Sequence, residues 1–352
     1  MQENDEREGP WQQEGPWRRI LLSGGAILGA AAAYNAFARK GVDQLTNLIG
    51  GEEGGFDWRD RRVAFTRRGN GPPILLIHGI HASAWSYEWR NNVEALAQTN
   101  TVYTLDLLGF GMSDRPAIRY SARLYISLIS DFVSRVIDEP TVLVASSLTG
   151  AYAIVLAARD PHRFPAVALI APSGLVRLNE PVGLGGEASR LAVDTPIAGT
   201  AMFNALVSRP QLRRYLNNAY SNDSLVTREL VEIHYATSHQ RGARHAPAAF
   251  LSGHLNIDVR HALRRLSQPA LLVWGEQGST APVEEFRGFR EIKRDFEISV
   301  LSPAGDLPHD ERAEDFNVIL SAWLNRLSLS SAPMLDTPPG TPGDLQPTQH
   351  LL

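Results

Sequence analysis

The chain has 352 residues, of which 43% are hydrophobic and 20% charged, and it contains no cysteine. That share of apolar side chains can bury a core, so the chain as a whole is not disordered. The formal net charge of −4 argues against a nucleic-acid-binding protein, which needs a basic surface to displace counterions. Without cysteine there are no disulfides, no thiolate nucleophile and no cysteine-ligated metal.

The N-terminal region consists of three segments that differ in composition. Residues 1–17 are polar and acidic, which predicts a disordered tail. Residues 18–40 contain an uncharged run, 20–38, between two basic pairs, and its length is close to the ~20 residues that span a bilayer. This segment is a membrane anchor, a helix on the protein's own surface, or a cleaved export signal. Residues 41–60 are rich in Gly and Glu and predict a linker.

Six short apolar runs, each followed by turn signals, predict strands that are buried on both faces. They are residues 73–77, 101–105, 141–145, 167–170, 270–274 and 296–300. Helical patterns stand between them, as at 149–159 and 313–327. This alternation predicts an α/β fold: an open, mainly parallel sheet with helices on both faces. Ligands are then expected at the carboxyl ends of the strands.

The alternation stops between residues 176 and 255. This stretch begins with a Gly-rich turn and continues with polar helical segments, without a strong strand candidate. At about 80 residues it is long for a simple crossover, so we predict a helical lid over the strand ends. The predicted body therefore consists of a core in two parts, 61–175 and 256–330, with the lid between them. A Pro-rich, disordered tail is expected at 331–352.

The most specific local pattern is Val-Ala-Ser-Ser-Leu-Thr-Gly at 144–150. Here a strand runs directly into a helix, with a serine at the turn. A strained turn of this kind lifts a hydroxyl to the edge of the sheet and points the N-terminal amides of the helix at it.

Five segments, in the correct order along the body, resemble the α/β-hydrolase family. They are residues 72–79, 105–116, 145–150, 272–276 and 303–311. The second segment is most similar to an esterase branch that includes pheophytinase and chlorophyll dephytylase. The resemblance implies an α/β-hydrolase fold with a helical lid and no cofactor.

The same resemblance assigns roles to three positions. Ser147 takes the position of the nucleophile at the strand-to-helix turn. The backbone amides of Ile80 and Leu148 take the positions of the oxyanion hole, which on its own contributes to acyl transfer.

Two of the three catalytic side chains of the family are replaced. The position of the acid holds Gly278, and the alternative acid site at 171–174 has no carboxylate. The position of the catalytic histidine holds Asp306, and the nearby His309 is usually a packing residue in the family. Because a serine hydroxyl without a base is a poor nucleophile, we expect Ser147 alone to be inefficient.

Three sources of a replacement base remain open. His309 could swing into the base position, His78 or His81 could act from the side of the oxyanion loop, and Asp306 could itself accept the proton. The remaining histidines of the lid and its flank lack metal-ligand spacing, so no metal site is predicted; they are His234, His239, His245, His254 and His261.

Two function classes follow. The first is a serine hydrolase acting on a lipophilic ester, with weakened or absent turnover, which the apolar N-terminal run and the lid segments 201–203 and 205–207 favour. The alternative is a pseudo-hydrolase that binds a small apolar ligand or a protein partner, which Gly278 and Asp306 favour. A lyase or cofactor-free oxygenase is disfavoured because those enzymes usually keep a histidine. The protein is expected to associate with a membrane through its N-terminal segment, on a side that the sequence does not assign, and otherwise to be cytoplasmic.

Overall fold

The sheet of this α/β protein has eight strands in the computed structural model, which describes residues 16–180 and 183–331. The strands are β1 (Glu52–Asp57), β2 (Arg62–Arg68), β3 (Pro73–Ile77), β4 (Thr101–Leu105), β5 (Val142–Ser146), β6 (Val167–Ile170), β7 (Ala270–Gly275) and β8 (Glu297–Leu301). Their spatial order is β1-β2-β4-β3-β5-β6-β7-β8. The β1–β2 and β2–β4 pairs are antiparallel and the remaining pairs are parallel, which confirms the predicted, mainly parallel sheet.

The first strand corrects the prediction of a linker at 41–60, because β1 occupies part of that segment. Its sequence, Glu-Glu-Gly-Gly-Phe-Asp, buries only Phe56. A strand at the edge of a sheet needs no continuous apolar run, since one of its sides has no neighbouring strand. The six predicted runs correspond to the more apolar strands, and β2 was also missed because polar residues interrupt it.

Thirteen α-helices accompany the sheet within the described residues. They are α1 (Pro16–Ala38), α2 (Val93–Leu96), α3 (Ala122–Phe132), α4 (Leu148–Arg159), α5 (Leu184–Asp194), α6 (Ala198–Leu206), α7 (Arg209–Ala219), α8 (Arg228–Ser238), α9 (His245–Leu251), α10 (Arg260–Arg265), α11 (Phe286–Ile292), α12 (Pro308–Glu311) and α13 (Ala313–Ser331).

Helices cover both faces of the sheet because successive residues of a buried strand point to opposite faces. On β3, Leu75 and Ile77 pack into a core cluster with α3, α4, α10 and α11. Ile74 and Leu76 pack into a second cluster with α2 and α13. The carboxyl ends of the parallel strands are thereby held at one edge of a rigid sheet.

The predicted helical insertion lies between β6 and β7. Helices α5 to α9 form it, and they occupy residues 184–251 of the stretch predicted at 176–255. The insertion has an apolar cluster of its own, which includes Leu212, Leu216 and Leu230. This cluster is distinct from the two that cover the faces of the sheet, and it packs the helices of the insertion against one another.

The C-terminal half of α1 rests on this insertion. The Tyr235 hydroxyl donates to the Ala38 carbonyl oxygen (2.6 Å), and the Asn35 side chain donates to the Ile197 carbonyl oxygen (3.0 Å). Ile27 and Phe37 nevertheless stay 70% and 75% exposed. These contacts agree with the surface-helix interpretation for this half of the helix. No helix of the described residues combines the length and apolarity that crossing a bilayer requires, and the anchor and signal interpretations remain predictions.

The predicted tails fall mostly outside the described residues. Residues 1–15 of the acidic segment and residues 332–352 of the Pro-rich segment are not among them.

Substitution of Gly111 by alanine is predicted to destabilise the fold. Gly111 has φ 49°, and a Cβ there would overlap the Asp106 carboxylate. That carboxylate is fixed, because it accepts from the Ser86 and Met112 amides (2.7 Å each). Backbone strain and displaced hydrogen bonds should together cost about 2 kcal/mol or more, measured by urea unfolding.

Gly29→Ala is the matched control for that substitution. Gly29 lies inside α1 with open space around it, so alanine should leave stability unchanged or raise it slightly. Equal urea midpoints for Gly111→Ala and the unsubstituted protein would contradict the prediction.

Candidate active site

The serine of the predicted turn adopts the strained conformation that the sequence pattern indicates. Ser147 joins the end of β5 to the start of α4 with φ 53° and ψ −124°. Its amide donates to the Ile170 carbonyl oxygen (2.8 Å), and its own carbonyl oxygen accepts from Ser173 (3.1 Å). Positive φ is uncommon for a residue with a side chain, and surrounding bonds maintain it.

Thr149 fixes the same turn from the other side. Its hydroxyl lies 2.7 Å from the Ser146 carbonyl oxygen and 3.1 Å from that of His78. The first contact closes the turn, and the second ties it to the loop after β3. This position usually holds glycine in the family, and here the threonine hydroxyl links the turn to the loop after β3.

The predicted oxyanion amides stand free beside the serine. Neither the Ile80 nor the Leu148 amide donates to another part of the described chain. The loop comes close at Gly79, where a Cβ would lie 3.6 Å from the Cβ of Ser147. The two amides therefore remain available to a developing negative charge, which is the chemistry predicted for them.

A cavity of about 290 Å³ opens above Ser147. Its apolar lining includes Ile80, Leu178, Phe250 and Leu307. Its polar lining includes Ser147, His81, Glu88, Arg177, Tyr215 and Asp306. The site is thus a mainly apolar pocket with a few convergent polar groups, which is typical of small-molecule sites.

Asp306 holds a loop together. Its carboxylate accepts from the amides of Thr280 (3.0 Å) and Ala281 (3.2 Å) and from the Ser279 hydroxyl (3.1 Å). It makes no hydrogen bond with Ser147 within the described chain. The geometry therefore gives no support to Asp306 as the replacement base.

Gly278 belongs to the same arrangement. A Cβ at this position would lie 2.7 Å from the Ala281 carbonyl oxygen and 3.1 Å from Asp306 Oδ1. An acidic side chain at 278 would thus collide with the loop that the Asp306 carboxylate organises. The two replacements fit each other sterically, although neither fits a catalytic triad.

His309 is fully buried and paired away from the serine. Its Nε2 lies 2.9 Å from Glu88 Oε1, and its ring packs 4.5 Å from the Trp89 ring and 5.8 Å from that of Phe316. Moving this ring to Ser147 would break the buried pair and open a space between the two aromatic rings. His309 is a packing residue here, and it does not reach the position of a base.

Glu88 connects this pair to the oxyanion loop, because its second oxygen accepts from the Gly79 amide (2.8 Å). Burial by itself would raise the pKa of Glu88. The hydrogen bond and the Coulomb interaction with His309 outweigh burial and bring that pKa to about 2. The carboxylate therefore stays ionised and is a poor proton acceptor.

The two histidines of the oxyanion loop have different roles. His78 is fully buried, with Nδ1 2.6 Å from the Gly79 carbonyl oxygen and Nε2 accepting from the Leu107 amide (3.1 Å). Both of its nitrogens are used, so His78 cannot serve as the base. His81 lines the cavity, and burial lowers its pKa to about 4, which leaves it neutral at neutral pH.

The ring of His81, in the loop after β3, packs against two aromatic rings of the lid. Its ring lies 5.9 Å from that of His234 and 5.4 Å from that of Tyr215. Its Nδ1 lies 3.4 Å from the Ser83 hydroxyl, which in turn lies 2.7 Å from His234 Nδ1. Of the histidines whose side chains are described, only His81 lines the cavity.

The other lid histidines bond locally. His254 Nε2 lies 2.9 Å from Glu187, and His245 Nδ1 lies 3.3 Å from Asp194. His261 is exposed on α10. Within the described chain, no three or more residues of metal-ligating type form a group that could hold an ion.

The sequence pattern of the Alpha/beta hydrolase family matches residues 74–318 of this chain. The protein belongs to the α/β-hydrolase family. The 2-hydroxy-6-oxo-6-(2'-aminophenyl)hexa-2,4-dienoic acid hydrolase of Metapseudomonas resinovorans is 26% identical over 76% of this chain and 89% of its own. The dihydrolipoyllysine-residue acetyltransferase component of the acetoin cleaving system of Cupriavidus necator is 28% identical over 75% of this chain and 66% of its own.

Solved structures share the α/β-hydrolase fold. A serine hydrolase involved in carbazole degradation superimposes with a TM-score of 0.64 at 23% identity, covering 80% of this chain and all of that one. A membrane phospholipase A superimposes with a TM-score of 0.65 at 21% identity, covering 89% of this chain and 97% of that one.

Two residues of this α/β-hydrolase site were missed in the sequence. Tyr215 reaches the cavity from α7, and burial raises the pKa of its hydroxyl, which stays protonated. Glu88 lies in the 3₁₀ turn Ser86–Trp89, and tryptophans at 85 and 89 flank it. A lone carboxylate between two tryptophans was the signal available for Glu88. Nothing in the sequence around Tyr215 distinguishes it.

The Glu88–His309 pair is predicted to make stability depend on acidic pH. The folded pKa of Glu88, about 2, lies below its ordinary value of 4.5, so its contribution is present above 4.5 and is lost as pH falls towards 2. The shift corresponds to about 3 kcal/mol. At neutral pH, Glu88→Gln should unfold at a lower urea concentration than the unsubstituted protein. Between pH 4.5 and 2 it should lose less stability than the unsubstituted protein does.

Glu94→Gln provides the control, because Glu94 is an exposed carboxylate. It should reproduce the acid dependence of the unsubstituted protein. If Glu88→Gln and Glu94→Gln lose stability equally between pH 4.5 and 2, the pair does not act as described.

Proposed function

We propose that this α/β-hydrolase is a serine hydrolase acting on a lipophilic ester, with turnover far below that of a complete triad. One observation carries the proposal: Ser147 faces a cavity beside two free amides, while no imidazole hydrogen-bonds to it within the described chain. Oxyanion stabilisation and binding alone leave roughly 10³–10⁴-fold catalysis over water in enzymes that lack triad members.

Three features support a lipophilic ester as the substrate. The cavity wall is mainly apolar, with Leu178 and Phe250 on the lid side. The segment 105–116 resembles the esterase branch that includes pheophytinase and chlorophyll dephytylase. The exposed apolar residues of α1 favour association with a membrane, where lipophilic esters partition.

His81 is the proposed residual base. It is neutral at neutral pH, so one ring nitrogen has a free lone pair, and it lines the same cavity as Ser147. In the proposed reaction the Ser147 proton moves to His81 while its oxygen attacks the ester carbonyl carbon. The amides of Ile80 and Leu148 bind the oxyanion, the alcohol leaves with the proton from His81, and water then hydrolyses the acyl-serine. A base with a pKa of about 4 is weak, which limits the rate.

A pseudo-hydrolase that binds an apolar ligand or a protein partner is the second candidate. The packing of Gly278 against Asp306 favours this candidate. The two positions where the family carries its acid and its histidine here hold a loop together. The two candidates differ in whether Ser147 reacts at all.

Reactivity of Ser147 separates these candidates. A fluorophosphonate probe should label the protein slowly, and Ser147→Ala should abolish labelling. His81→Gln should remove most of the residual rate, whereas His261→Gln, an exposed control, should not change it. The rate should rise with pH to half its maximum near pH 4, because His81 accepts a proton only when deprotonated.

Each contrary result has a definite meaning. Absence of labelling supports the pseudo-hydrolase. Labelling at the rate of a complete triad refutes weak turnover, and an unchanged rate in His81→Gln shows that another group is the base.

Restoring one triad residue is predicted to fail. Asp306→His should not give efficient ester hydrolysis, because Gly278 supplies no acid to orient the histidine. It should also cost about 1–3 kcal/mol of stability, since the Thr280 and Ala281 amides lose their acceptor. Hydrolysis of a p-nitrophenyl ester and urea unfolding would measure the two effects.

Asp306→Asn is the matched control, as its amide oxygen keeps one acceptor for the loop and should cost less stability. Efficient hydrolysis by Asp306→His alone would show that an acid is available elsewhere in the site.

A further inference from the structure

A second cavity, of about 340 Å³, lies between α1 and the lid. It shares no lining residue with the cavity above Ser147. Asn35 of α1 and Arg39, just after α1, form one side, Phe203 and Asn204 of α6 form another, and residues 238–244 close it. No step of the proposed hydrolysis uses these residues.

The charged residues that line this cavity are all cationic. They are Arg39, Arg241 and Arg244, and no Asp or Glu of the described chain lines it. None of the three makes a salt bridge with another described residue. The nearest acid that acts on Arg244, Asp194, is engaged by Arg190 (2.8 Å) and His245 (3.3 Å). In a chain of net charge −4, this local excess of positive charge favours an anion.

Two buried nitrogen atoms among the lining residues lack partners in the described structure. They are Arg244 Nε and Nε2 of His239, a side chain that is only 2% exposed. Buried polar atoms in folded proteins nearly always have a hydrogen-bond partner, so unpartnered ones beside a cavity are positions that a bound ligand or an ordered water would satisfy. Burial lowers the pKa of His239 to about 4, so its ring is neutral at neutral pH. Its Nδ1 lies 2.9 Å from the Tyr235 carbonyl oxygen and donates to it, which leaves Nε2 of the neutral ring as an acceptor.

We propose that this cavity binds a phosphate monoester or inorganic phosphate. The ligand must offer anionic oxygens to guanidinium groups and one O–H to His239 Nε2. Inorganic phosphate keeps at least one O–H near neutral pH, and a phosphate monoester keeps one in its monoanion, which predominates below its second pKa of about 6. A phosphodiester, a sulfate or a carboxylate has no O–H to donate. Arginine suits this role because its planar fork matches phosphate oxygens.

The bound phosphate would join α1 to the lid. Arg39 belongs to the segment directly after α1, whereas His239 and Arg244 belong to the turn between α8 and α9. The Gln240 side chain already donates to the Asp43 carbonyl oxygen (2.7 Å) across the same junction. The phosphate comes either from a soluble compound or from a lipid headgroup, since exposed Phe37 lies on α1 close to Arg39 in sequence.

Calorimetric titration of the full chain with inorganic phosphate tests the site. Arg244→Gln should weaken binding about tenfold or more, because it removes a charge-assisted hydrogen bond. Arg39 is exposed, and its side chain makes no hydrogen bond or salt bridge with another described residue, so Arg39→Gln should leave the fold intact and also weaken phosphate binding. Arg264→Gln, an exposed arginine of α10 outside the cavity, is the matched control and should leave the affinity unchanged.

Sulfate provides a sharper comparison, because it has the size of phosphate without the O–H. The unsubstituted protein should prefer phosphate, and His239→Phe, which keeps the ring against Tyr235, should lose that preference. The proposal is refuted by the absence of phosphate binding, by equal affinity for both ions, or by equal weakening in Arg264→Gln and Arg244→Gln.

Vesicles distinguish the two sources of the phosphate. Phosphatidylcholine vesicles containing phosphatidic acid, a monoester, are compared in co-sedimentation with vesicles containing phosphatidylglycerol, a diester. Binding to phosphatidic acid that inorganic phosphate displaces supports a lipid headgroup at the site. Phosphate binding without displaceable vesicle binding supports a soluble phosphate compound.

Discussion

The buried contact of Glu88 with His309 and Gly79 holds the two halves of the core in register at the site. One carboxylate oxygen of Glu88 accepts a hydrogen bond from the Gly79 amide of the oxyanion loop. The other pairs with His309, from the C-terminal part of the chain. Because the oxygens of an ionised carboxylate are shared between these two elements, neither element can shift without unpairing a buried group. The placement of the Ile80 amide beside Ser147 depends on this contact.

The same contact explains why the neighbouring His309 lies away from Ser147. His309 lies a few residues from the position of a catalytic histidine, yet Glu88 and two aromatic rings hold it in the core. The position itself belongs to Asp306, whose oxygens serve the loop at 279–281. Of the histidines first considered as a base, only His81 lines the cavity, and burial lowers its pKa, which makes it a weak base.

The sequence was most informative where one local pattern determines one local structure. Strands buried on both faces require continuous apolar runs, and a serine in a strained strand-to-helix turn requires small neighbours, so β3 to β7 and Ser147 were predictable. The run at 296–300 also marks a strand, β8, but this strand lies at the other edge of the sheet and buries only Leu301, so the prediction that it is buried on both faces was wrong. The edge strand β1 carries no such requirement and was missed. The partners of Asp306 and the approach of Glu88 depend on loops that meet only in the folded chain, so no pattern along the sequence indicates them.

The fit between Gly278 and Asp306 has an evolutionary consequence. From this structure, an efficient triad at these positions would need a histidine at 306, an acid at 278 and a rebuilt loop at once, since a Cβ at 278 collides with the present loop. Each single step loses a stabilising contact before it gains any chemistry. Selection acting on one substitution at a time would therefore meet no favourable first step towards such a triad.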